Sequence, residues 1–528
     1  MRRLFFIVFL SAATVWAADW PSQSGNPQRD GWAQGEEEVV KSAIPDLRLL
    51  YKHKVENEPR GLNSLTSPLI LGNLITYKGF KEMLFVGASS DTIYSIDAAL
   101  NEPLWKAHFD YKGDQAQQTS PTAGCPGGLT ATPADVGSSG PLRRVFSFRR
   151  SSRPAAPGGV FATGFGRNGY VFAIGSDGYL RFVRQSDGND TAVPPVKFLP
   201  ANANVSSINV NGTMVYAATV NGCGGSGNAL YAIDLGGDGK QVVSFPTNGS
   251  GLAGIGGTAV GENGTVYAQV ASGHGDVAGD YNNTVLALNP TDLKVKDYFT
   301  PSGGGAAADQ KHDSSYAGIT PTVFSWKGKD LVVAGGPDGT VYLLDSSALG
   351  GSDHHTALCH TEPILKSKDS VLSGNFATWE DEATHTRWIY AAVRGATNGK
   401  FPRKNGSAKD GSIVAYKLEE NDGKFSLAPQ WISRNLTGPA SPITANGLVF
   451  ALSSGVADAA QNKTKGHATM YILDGATGKE LFSSGNDAAT FSHNSGLALA
   501  NGRIYFTTHD NTIYCYGIPA MQPQLMER

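Results

Sequence analysis

One pattern of residues recurs along this chain and constrains its fold more than any single residue. Each copy has an alternating apolar strand, an Asp followed by a tight turn of small residues, and a second apolar strand. The clearest copies span residues 92–105, 229–245, 340–351 and 470–484. Alternation of apolar residues places one face of each strand in a core. Repetition over the whole chain is typical of sheets arranged radially as blades, rather than of one open sheet.

The third strands of the repeats predict eight blades. They begin near Ile93, Leu180, Leu230, Val285, Val341, Ile413, Met470 and Ile513. The eighth copy has no outer strand after it, whereas residues 47–55 form an apolar strand with no blade before it. We therefore predict an all-β fold, an eight-bladed closed β-propeller of four-stranded antiparallel blades. Its N-terminal strand completes the last blade and removes the exposed sheet edges.

The start of the chain has the pattern of an exported protein. Residues 1–17 combine two arginines, an apolar run and a small-residue site, as in a cleavable signal peptide. A transmembrane anchor is the alternative, but the run is shorter than the ~20 residues that a span requires. We expect a periplasmic or secreted protein with no transmembrane anchor. The predicted division continues with an extended segment over 18–46, one propeller over 47–520 and a tail over 521–528.

Two segments interrupt the repeats, the loop over 394–411 and a longer stretch over 138–159. Residues 138–159 are basic and rich in Ser, Pro and Gly, which predicts a surface insertion. An arm that binds a partner is the alternative interpretation.

Composition and missing motifs narrow the possible functions. The chain is 40% hydrophobic with a formal net charge of −3, and nothing strongly basic indicates nucleic acid. No C-x-x-C-H motif occurs, so we expect no haem. No Gly-x-Ser-x-Gly, phosphate-loop or H-E-x-x-H motif occurs either, which leaves hydrolase, kinase and metalloprotease hypotheses unsupported. We expect a monomer that binds a small molecule or a protein.

The blade arrangement predicts that polar residues from distant parts of the sequence share one face. In a propeller, the loops between blades and those between second and third strands lie at the same end of the ring. The residues that fall in these loops include His274, His312, His467, His493, His509, Asp276, Asp313 and Arg434. Their convergence on the axis would suit a divalent cation or a small polar ligand. The alternative is that loops are polar on any propeller.

The cysteines and the repeated aspartates have separate expected roles. Cys125 and Cys223 map to the loop face in neighbouring blades, and an exported protein permits a disulfide between them, with free thiols as the alternative. Cys515 lies within a predicted strand and is expected in the core. The repeat aspartates are expected to accept hydrogen bonds from the backbone of their own turns. These are Asp97, Asp234, Asp345 and Asp474.

The phrase ILDGATGKELF resembles the A-x-D-x-x-T-G-K-x-x-W repeat of the quinoprotein β-propellers, which are built like pyrroloquinoline quinone (PQQ) dehydrogenases. The phrases DWPSQSGNPQRDGW and DLVVAGGPDGTVYLLD are also similar to exported PQQ-like repeat proteins of bacteria. The likeness covers essentially the whole chain after the signal peptide. In this family the closing Trp of a repeat packs on the neighbouring blade, a role that Trp105 and Trp431 would take here.

The resemblance implies a PQQ-dependent oxidoreductase of small alcohols, sugars or amines, with calcium beside the quinone. The cofactor-binding residues would then be the five loop histidines with Arg434, and the metal would lie near Asp276 and Asp313. The dehydrogenases typically carry two adjacent cysteines over the cofactor, and this sequence has no such pair. The alternative is a non-catalytic propeller scaffold that binds a protein, peptide or glycan.

Overall fold

The alternating segments form eight four-stranded blades in a propeller, as predicted. The computed structural model describes residues 18–76, 79–112, 122, 124–135, 169–236, 241–247, 251–271, 281–301, 318–367, 370–398, 401–458, 463–464, 466–493 and 495–519. The predicted signal peptide, the insertion over 138–159 and the tail over 521–528 lie outside these residues. Within the same ranges no helix has the length and apolar character that crossing a bilayer would take.

The first four blades follow the order of the chain from inner to outer strand. Blade 1 comprises Leu69–Thr76, Gly79–Ala88, Thr92–Asp97 and Glu102–His108. Blade 2 comprises Tyr170–Ile174, Tyr179–Arg184 and Val196–Lys197, and Ala134 bridges Phe172 at the inner-strand position. Blade 3 comprises Asn204–Asn211, Met214–Val220, Ala229–Asp234 and Val242–Pro246. Blade 4 comprises Thr258–Val260, Val266–Gln269, Val285–Leu288 and Val295–Phe299.

The second four blades repeat this plan with small additions. Blade 5 comprises Thr322–Trp326, Lys329–Gly335, Val341–Asp345 and Cys359–His360. Blade 6 comprises Val371–Asp381, Thr386–Arg394, Gly411–Asn421 and Lys424–Ile432, and Gly318–Thr320 pairs with its inner strand in parallel. Blade 7 comprises Ile443–Ala445, Leu448–Ser453, Thr469–Asp474 and Glu480–Ser483, with a ribbon of Val456–Asp458 and Lys463–Thr464. Short 3-10 helices occur at Lys41–Asp46, Cys223–Gly225 and Gly351–Asp353.

Blade 8 closes the ring by joining the two ends of the chain. Its first three strands are Ala498–Ala500, Arg503–Thr508 and Thr512–Gly517, and its outer strand is Arg48–Lys54. The outer strand pairs antiparallel with Thr512–Gly517. This confirms the predicted closure by an N-terminal strand.

Adjacent blades are held together where the outer strand of one meets the turn of the next. The indole Nε1 of Trp105 donates to the carbonyl of Gln185 in blade 2 at 2.9 Å, and Trp431 does the same to Gly475 in blade 7 at 2.9 Å. A Cβ atom at Gly188 would come within 2.6 Å of the Trp105 ring, and its φ is +74°. The packing of both predicted tryptophans on the neighbouring blade is therefore confirmed. A residue with a side chain at position 188 would clash with the Trp105 ring, so glycine is needed there.

The repeat aspartates hold the turns between third and outer strands. Each carboxylate accepts hydrogen bonds from backbone N–H groups two or three residues later, as predicted. The donors are Ala99 and Leu100 to Asp97, Gly236 to Asp234, Ser347 to Asp345, and Ala476 and Thr477 to Asp474. This side-chain mimic of a backbone turn explains why Asp recurs at that position.

Residues 18–33, named here the axial segment, bond to all eight blades. Its backbone bonds join Trp20 to Ile70, Pro21 to Asp135, Pro27 to Val260, Gln28 to Val323, Asp30 to Thr378 and Gly31 to Thr444. Arg29 reaches blade 3 through Ser207, and Ala18 donates to Asn501 in blade 8 at 2.8 Å. Because inner strands line the axis of a propeller, a segment that bonds to so many of them occupies the central channel.

Arg29 anchors the axial segment. Its side chain is fully buried and donates to the carbonyls of Thr258 (3.2 Å), Ile208 (2.9 Å) and Gln23, and to the hydroxyls of Ser22 (3.2 Å) and Ser207 (2.6 Å). These acceptors are all uncharged. Burial lowers the pKa of Arg29 to about 9. A buried cation stabilises the fold only when its donors are fully used, and this cluster of five oxygens achieves that.

We predict that Arg29→Met lowers the free energy of unfolding by about 3 kcal/mol, because five buried acceptors lose their donors. Arg29→Lys should be intermediate, since an ammonium cannot reproduce the planar fork. Urea denaturation measures both. Arg48→Met is the control, because Arg48 is exposed on the closing strand, and it should change the free energy by less than ~0.5 kcal/mol. Equal losses at positions 29 and 48 would contradict the anchoring role.

Candidate binding site on the loop face

The connections between blades and the loops between second and third strands meet at one end of the ring. His509, in a loop of blade 8, contacts the carbonyl of Gly61 at 2.9 Å, and Gly61 lies in the connection that leads into blade 1. His493, in the connection between blades 7 and 8, contacts Oδ1 of Asn63 at 2.9 Å. We call this end of the propeller the loop face.

A small cavity lies on the axis just inside the loop face. Its volume is about 30 Å³, room for roughly two water-sized molecules. Residues that precede inner strands form most of the wall, so blades 4, 6, 7 and 8 all contribute. The lining residues are Gln23, Ile255, Ser373, Gly374, Arg394, Pro439, Ala440, Ser441, Ser454, Ser492, Ser495 and Gly496. None of these described lining residues is acidic. We call this space the axial cavity.

Serine hydroxyls dominate the polar lining of the axial cavity. Ser441 accepts a hydrogen bond from the backbone N–H of Asn375 at 2.9 Å, and Ser495 pairs with Thr507 at 2.8 Å. Ser373 and Ser492 are 2% and 1% exposed, and within the part of the chain that the structure describes their Oγ atoms have no hydrogen-bond partner. A buried hydroxyl without a partner costs ~1–3 kcal/mol. A polar group in the axial cavity would give both hydroxyls a hydrogen-bond partner.

Arg394 lies in the described lining of the axial cavity, next to His493. Burial, the Arg394 guanidinium and His509 together lower the pKa of the neighbouring His493 to about 3. His493 is therefore neutral at pH 7. Among the described lining residues, Arg394 is the charged side chain.

The structure brings together two of the predicted site residues and separates two others. His493 and His509 are close, since His509 contributes to lowering the pKa of His493, and the His509 ring stacks on Phe491 with the ring centroids 4.5 Å apart. His467 instead contacts the carbonyl of Gly485 at 3.2 Å. The guanidinium of Arg434 forms an ion pair with Glu480 at 2.6 Å. Glu480 belongs to the outer strand of blade 7, so Arg434 lies away from the axis, which the sequence did not indicate. His274, His312, Asp276 and Asp313 lie outside the described residues.

The lining serines were missed by the sequence analysis, although the sequence carries a signal for them. A Ser followed by Gly or Pro stands at or just before the inner strands of three blades: Ser373-Gly374, Ser441-Pro442 and Ser495-Gly496. Such pairs read as ordinary turn residues. Their recurrence at the same blade position is what places several hydroxyls around one axis.

The metal-binding prediction remains a prediction. No three His, Cys, Asp or Glu side chains among the described residues group closely enough to hold a metal ion. Asp276 and Asp313, the predicted metal residues, are not among those residues.

A disulfide links two loops of the loop face. Cys125 and Cys223 are bonded, with their Cα atoms 5.5 Å apart. The bond joins the connection between blades 1 and 2 to the loop between second and third strands of blade 3. Cys359 and Cys515 are free thiols, and Cys515 is fully buried, as predicted. Burial raises the pKa of the Cys515 thiol to about 12, which keeps it unreactive.

Comparison with known proteins defines the fold of this chain but not its family. No protein-family model and no curated protein matches it. The chain is similar in structure to quinohemoprotein alcohol dehydrogenase ADHIIG from Pseudomonas putida HK5, with TM-score 0.58, 13% identity, and coverage of 96% of this chain and 82% of that one. It is also similar to quinohemoprotein alcohol dehydrogenase from Comamonas testosteroni, with TM-score 0.56, 12% identity, and coverage of 96% and 82%. A europium-containing methanol dehydrogenase has TM-score 0.56, 11% identity, and coverage of 95% and 98%. The chain therefore has the propeller fold of the quinoprotein alcohol dehydrogenases.

The described residues do not fit a PQQ site at the axis. PQQ is a fused tricyclic molecule, whereas the axial cavity of about 30 Å³ holds a few atoms. The disulfide joins residues 98 positions apart, not adjacent cysteines. Carboxylate ligands for calcium are absent from the described lining of the cavity.

We predict that His493 makes the fold acid-sensitive. The pKa of His493 is near 6.5 in the unfolded protein and about 3 in the folded protein. Between these pH values His493 is protonated in the unfolded protein but neutral in the folded protein. The free energy of unfolding is therefore unaffected by this group above pH 6.5 and decreases as the pH falls towards 3. Between pH 7 and pH 5, the free energy of unfolding of the His493→Asn variant should decrease by about 2 kcal/mol less than that of the parent. Urea denaturation at both pH values measures the difference.

The control for this measurement is His385→Asn. His385 has a side chain that is 78% exposed and a φ of 51°, which Asn tolerates. This variant should follow the parent's pH dependence closely. If His493→Asn also follows it, the neutral buried imidazole is not the source of the acid sensitivity.

We predict that the Cys125–Cys223 disulfide stabilises the protein by about 2–4 kcal/mol, because it closes a loop of 98 residues. The double variant Cys125→Ser with Cys223→Ser should lose that free energy in urea denaturation and become insensitive to reductant. Cys359→Ser is the control, since Cys359 is a free thiol. Mass mapping of a non-reduced digest tests the bond directly, and recovery of both cysteines as free thiols would contradict it.

Proposed function

We propose that this protein is a non-catalytic propeller of the quinoprotein fold that binds a protein, peptide or glycan on its loop face. The observation that carries the proposal is the axial cavity, which is small, lined with hydroxyls and placed where loops from several blades converge. A cavity of this kind offers one polar point of attachment within a broad loop surface. An oxidoreductase needs a pocket for an entire cofactor and its substrate.

The axial segment supports this proposal by limiting the depth of the channel. Pockets for cofactors and other small molecules usually have volumes of ~300–1,000 Å³. Here residues 18–33 bond to inner strands across the channel, and Gln23 of the same segment lines the axial cavity. The axial segment therefore bounds the axial cavity on one side. A cavity of that volume suits one functional group of a larger ligand.

The second candidate function is a PQQ-dependent oxidoreductase of small alcohols, sugars or amines, with calcium as the metal. The likeness in fold to two quinohemoprotein alcohol dehydrogenases and a methanol dehydrogenase favours it. In that case His274, His312, Asp276 and Asp313 would contribute to the cofactor and metal sites. The remaining predicted cofactor residues would be His467, His493, His509 and Arg434.

We further propose that the protein is exported to the periplasm or secreted, and that residues 1–17 are its signal peptide. The disulfide between Cys125 and Cys223 supports an oxidising compartment, because such bonds are rare in reducing cytosol. A monomeric state remains a proposal of the same kind.

Thermal unfolding with PQQ and calcium tests these alternatives. A ligand at 100 times its dissociation constant adds ~2.7 kcal/mol to the stability of the state that binds it. We expect no shift of the melting temperature with PQQ, calcium or both, and no dye reduction with primary alcohols. A PQQ shift that requires calcium, together with dye reduction, would overturn the proposal in favour of the oxidoreductase. Binding to peptide or glycan arrays is the positive arm of the test.

A further inference from the structure

Two serine hydroxyls determine what the axial cavity can bind. Five serines lie in its described lining, and three of them form hydrogen bonds through Oγ: Ser441, Ser454 and Ser495. The Oγ atoms of the other two, Ser373 and Ser492, have no partner within the described part of the chain. We propose that the axial cavity binds two adjacent hydroxyl groups of a glycan, one at each of these two serines. This inference rests on the proposed function, because it chooses the glycan among the ligands proposed for the loop face.

The two serines reach the cavity from different parts of the ring. Ser373 belongs to the inner strand of blade 6, and Ser492 lies in the connection between blades 7 and 8. Their side chains are almost fully buried. An apolar occupant would leave both hydroxyls without hydrogen bonds, at a cost of ~1–3 kcal/mol for each. The group that enters the cavity must therefore be polar.

The hydrogen-bonding capacity of serine favours a hydroxyl over a charged group. A serine hydroxyl donates one hydrogen bond and accepts others, whereas a carboxylate only accepts and an ammonium group only donates. A ligand hydroxyl both donates and accepts, so it can satisfy a serine in either direction. Arg394 also lines the cavity but already has an interaction of its own. The choice of a neutral hydroxyl does not depend on the charge of Arg394.

The volume of the cavity determines how many hydroxyls enter. About 30 Å³ has room for roughly two water-sized molecules. Two hydroxyls on neighbouring carbon atoms lie about 2.8 Å apart, which is the spacing of two hydrogen-bonded waters. Each hydroxyl can therefore replace one water and keep its hydrogen bonds, which a group without that capacity would lose. The ring that carries the two hydroxyls would remain outside the cavity, on the loop face.

A pair of adjacent hydroxyls identifies the ligand as a glycan rather than a peptide. Sugar rings carry hydroxyls on neighbouring carbon atoms, whereas a peptide carries them one by one on separate side chains. A peptide would have to order two flexible side chains in one small cavity, and each ordered side chain costs ~0.5–1.5 kcal/mol. A sugar presents both hydroxyls on one rigid ring and avoids that cost.

Two isomers of cyclohexanediol test the spacing of the hydroxyls. The probe is cis-1,2-cyclohexanediol, and the matched control is 1,4-cyclohexanediol, which has the same atoms with its hydroxyls far apart. Each is titrated into the intact protein, and binding is followed by ligand-observed NMR. We expect the 1,2 isomer to bind about 10-fold more tightly, because the 1,4 isomer places only one hydroxyl in the cavity. Equal binding of the isomers, or no binding of either, would overturn the proposal.

The double variant Ser373→Ala with Ser492→Ala tests the two serines. It should weaken binding of the 1,2 isomer by about 10-fold or more. The free variant should melt at the parent's temperature or above it, because two buried unpartnered hydroxyls are removed.

Ser95→Ala is the matched control for the double variant. Ser95 in blade 1 is 1% exposed, and its Oγ also has no partner among the described residues, but it does not line the cavity. This control should bind the 1,2 isomer as the parent does. Binding to the double variant as tight as to the parent would overturn the assignment of the serines. If the double variant does not fold, the comparison of the two isomers on the parent still decides.

Glycan and peptide arrays separate this inference from the proposed function. We expect the parent to bind glycans and the double variant to lose that binding. A parent that binds peptides but no glycan would overturn this inference and leave the proposed function standing. A calcium-dependent shift with PQQ, together with dye reduction, would overturn the proposed function whatever the diols do, so the two failures are distinguishable.

Discussion

The pairing of Arg48–Lys54 with Thr512–Gly517 is the contact on which the rest of this structure depends. Each blade is a small sheet with apolar faces, and the edges of an isolated blade would be exposed. Only a complete ring gives every blade two neighbours, and this pairing completes the ring. It also fixes the geometry of the loop face, since His509 of blade 8 contacts Gly61 in the connection that follows the closing strand.

The ring and the axial segment together explain why the candidate site is where it is. Eight inner strands would leave an open channel along the axis, but residues 18–33 occupy it through bonds to every blade. Arg29 holds this segment through neutral acceptors on the segment itself and on blades 3 and 4. The axial cavity lies beside Gln23 of this segment, and several serines and Arg394 are in its described lining.

Much of the fold was predictable because its signals are local. Alternation of apolar residues and the recurrent Asp of the turns identify eight blades, and the strand over 47–55 that lacked a blade indicated the closure. The axial segment was predicted only as an extended segment. Its backbone is irregular and its hydrogen bonds go to strands far away in the sequence, so its residues show no periodic pattern. The candidate site was predictable to the level of a face. How far each loop residue lies from the axis depends on the path of its loop, which is why Arg434 lies beside Glu480 while Ser373 and Ser492 line the cavity.

The order in which the chain is made gives the axial segment a particular place in folding. Its residues lie at the beginning of the sequence, yet they bond to blades that are completed only by the last strands, including Asn501 of blade 8. Contacts between such distant residues form slowly, because long loops must close first. We therefore expect the early blades to assemble before the channel is filled, and the first residues after the predicted signal peptide to enter it last. This last step would require a complete ring, because a chain that lacks any one blade cannot retain the axial segment at all eight of its contacts.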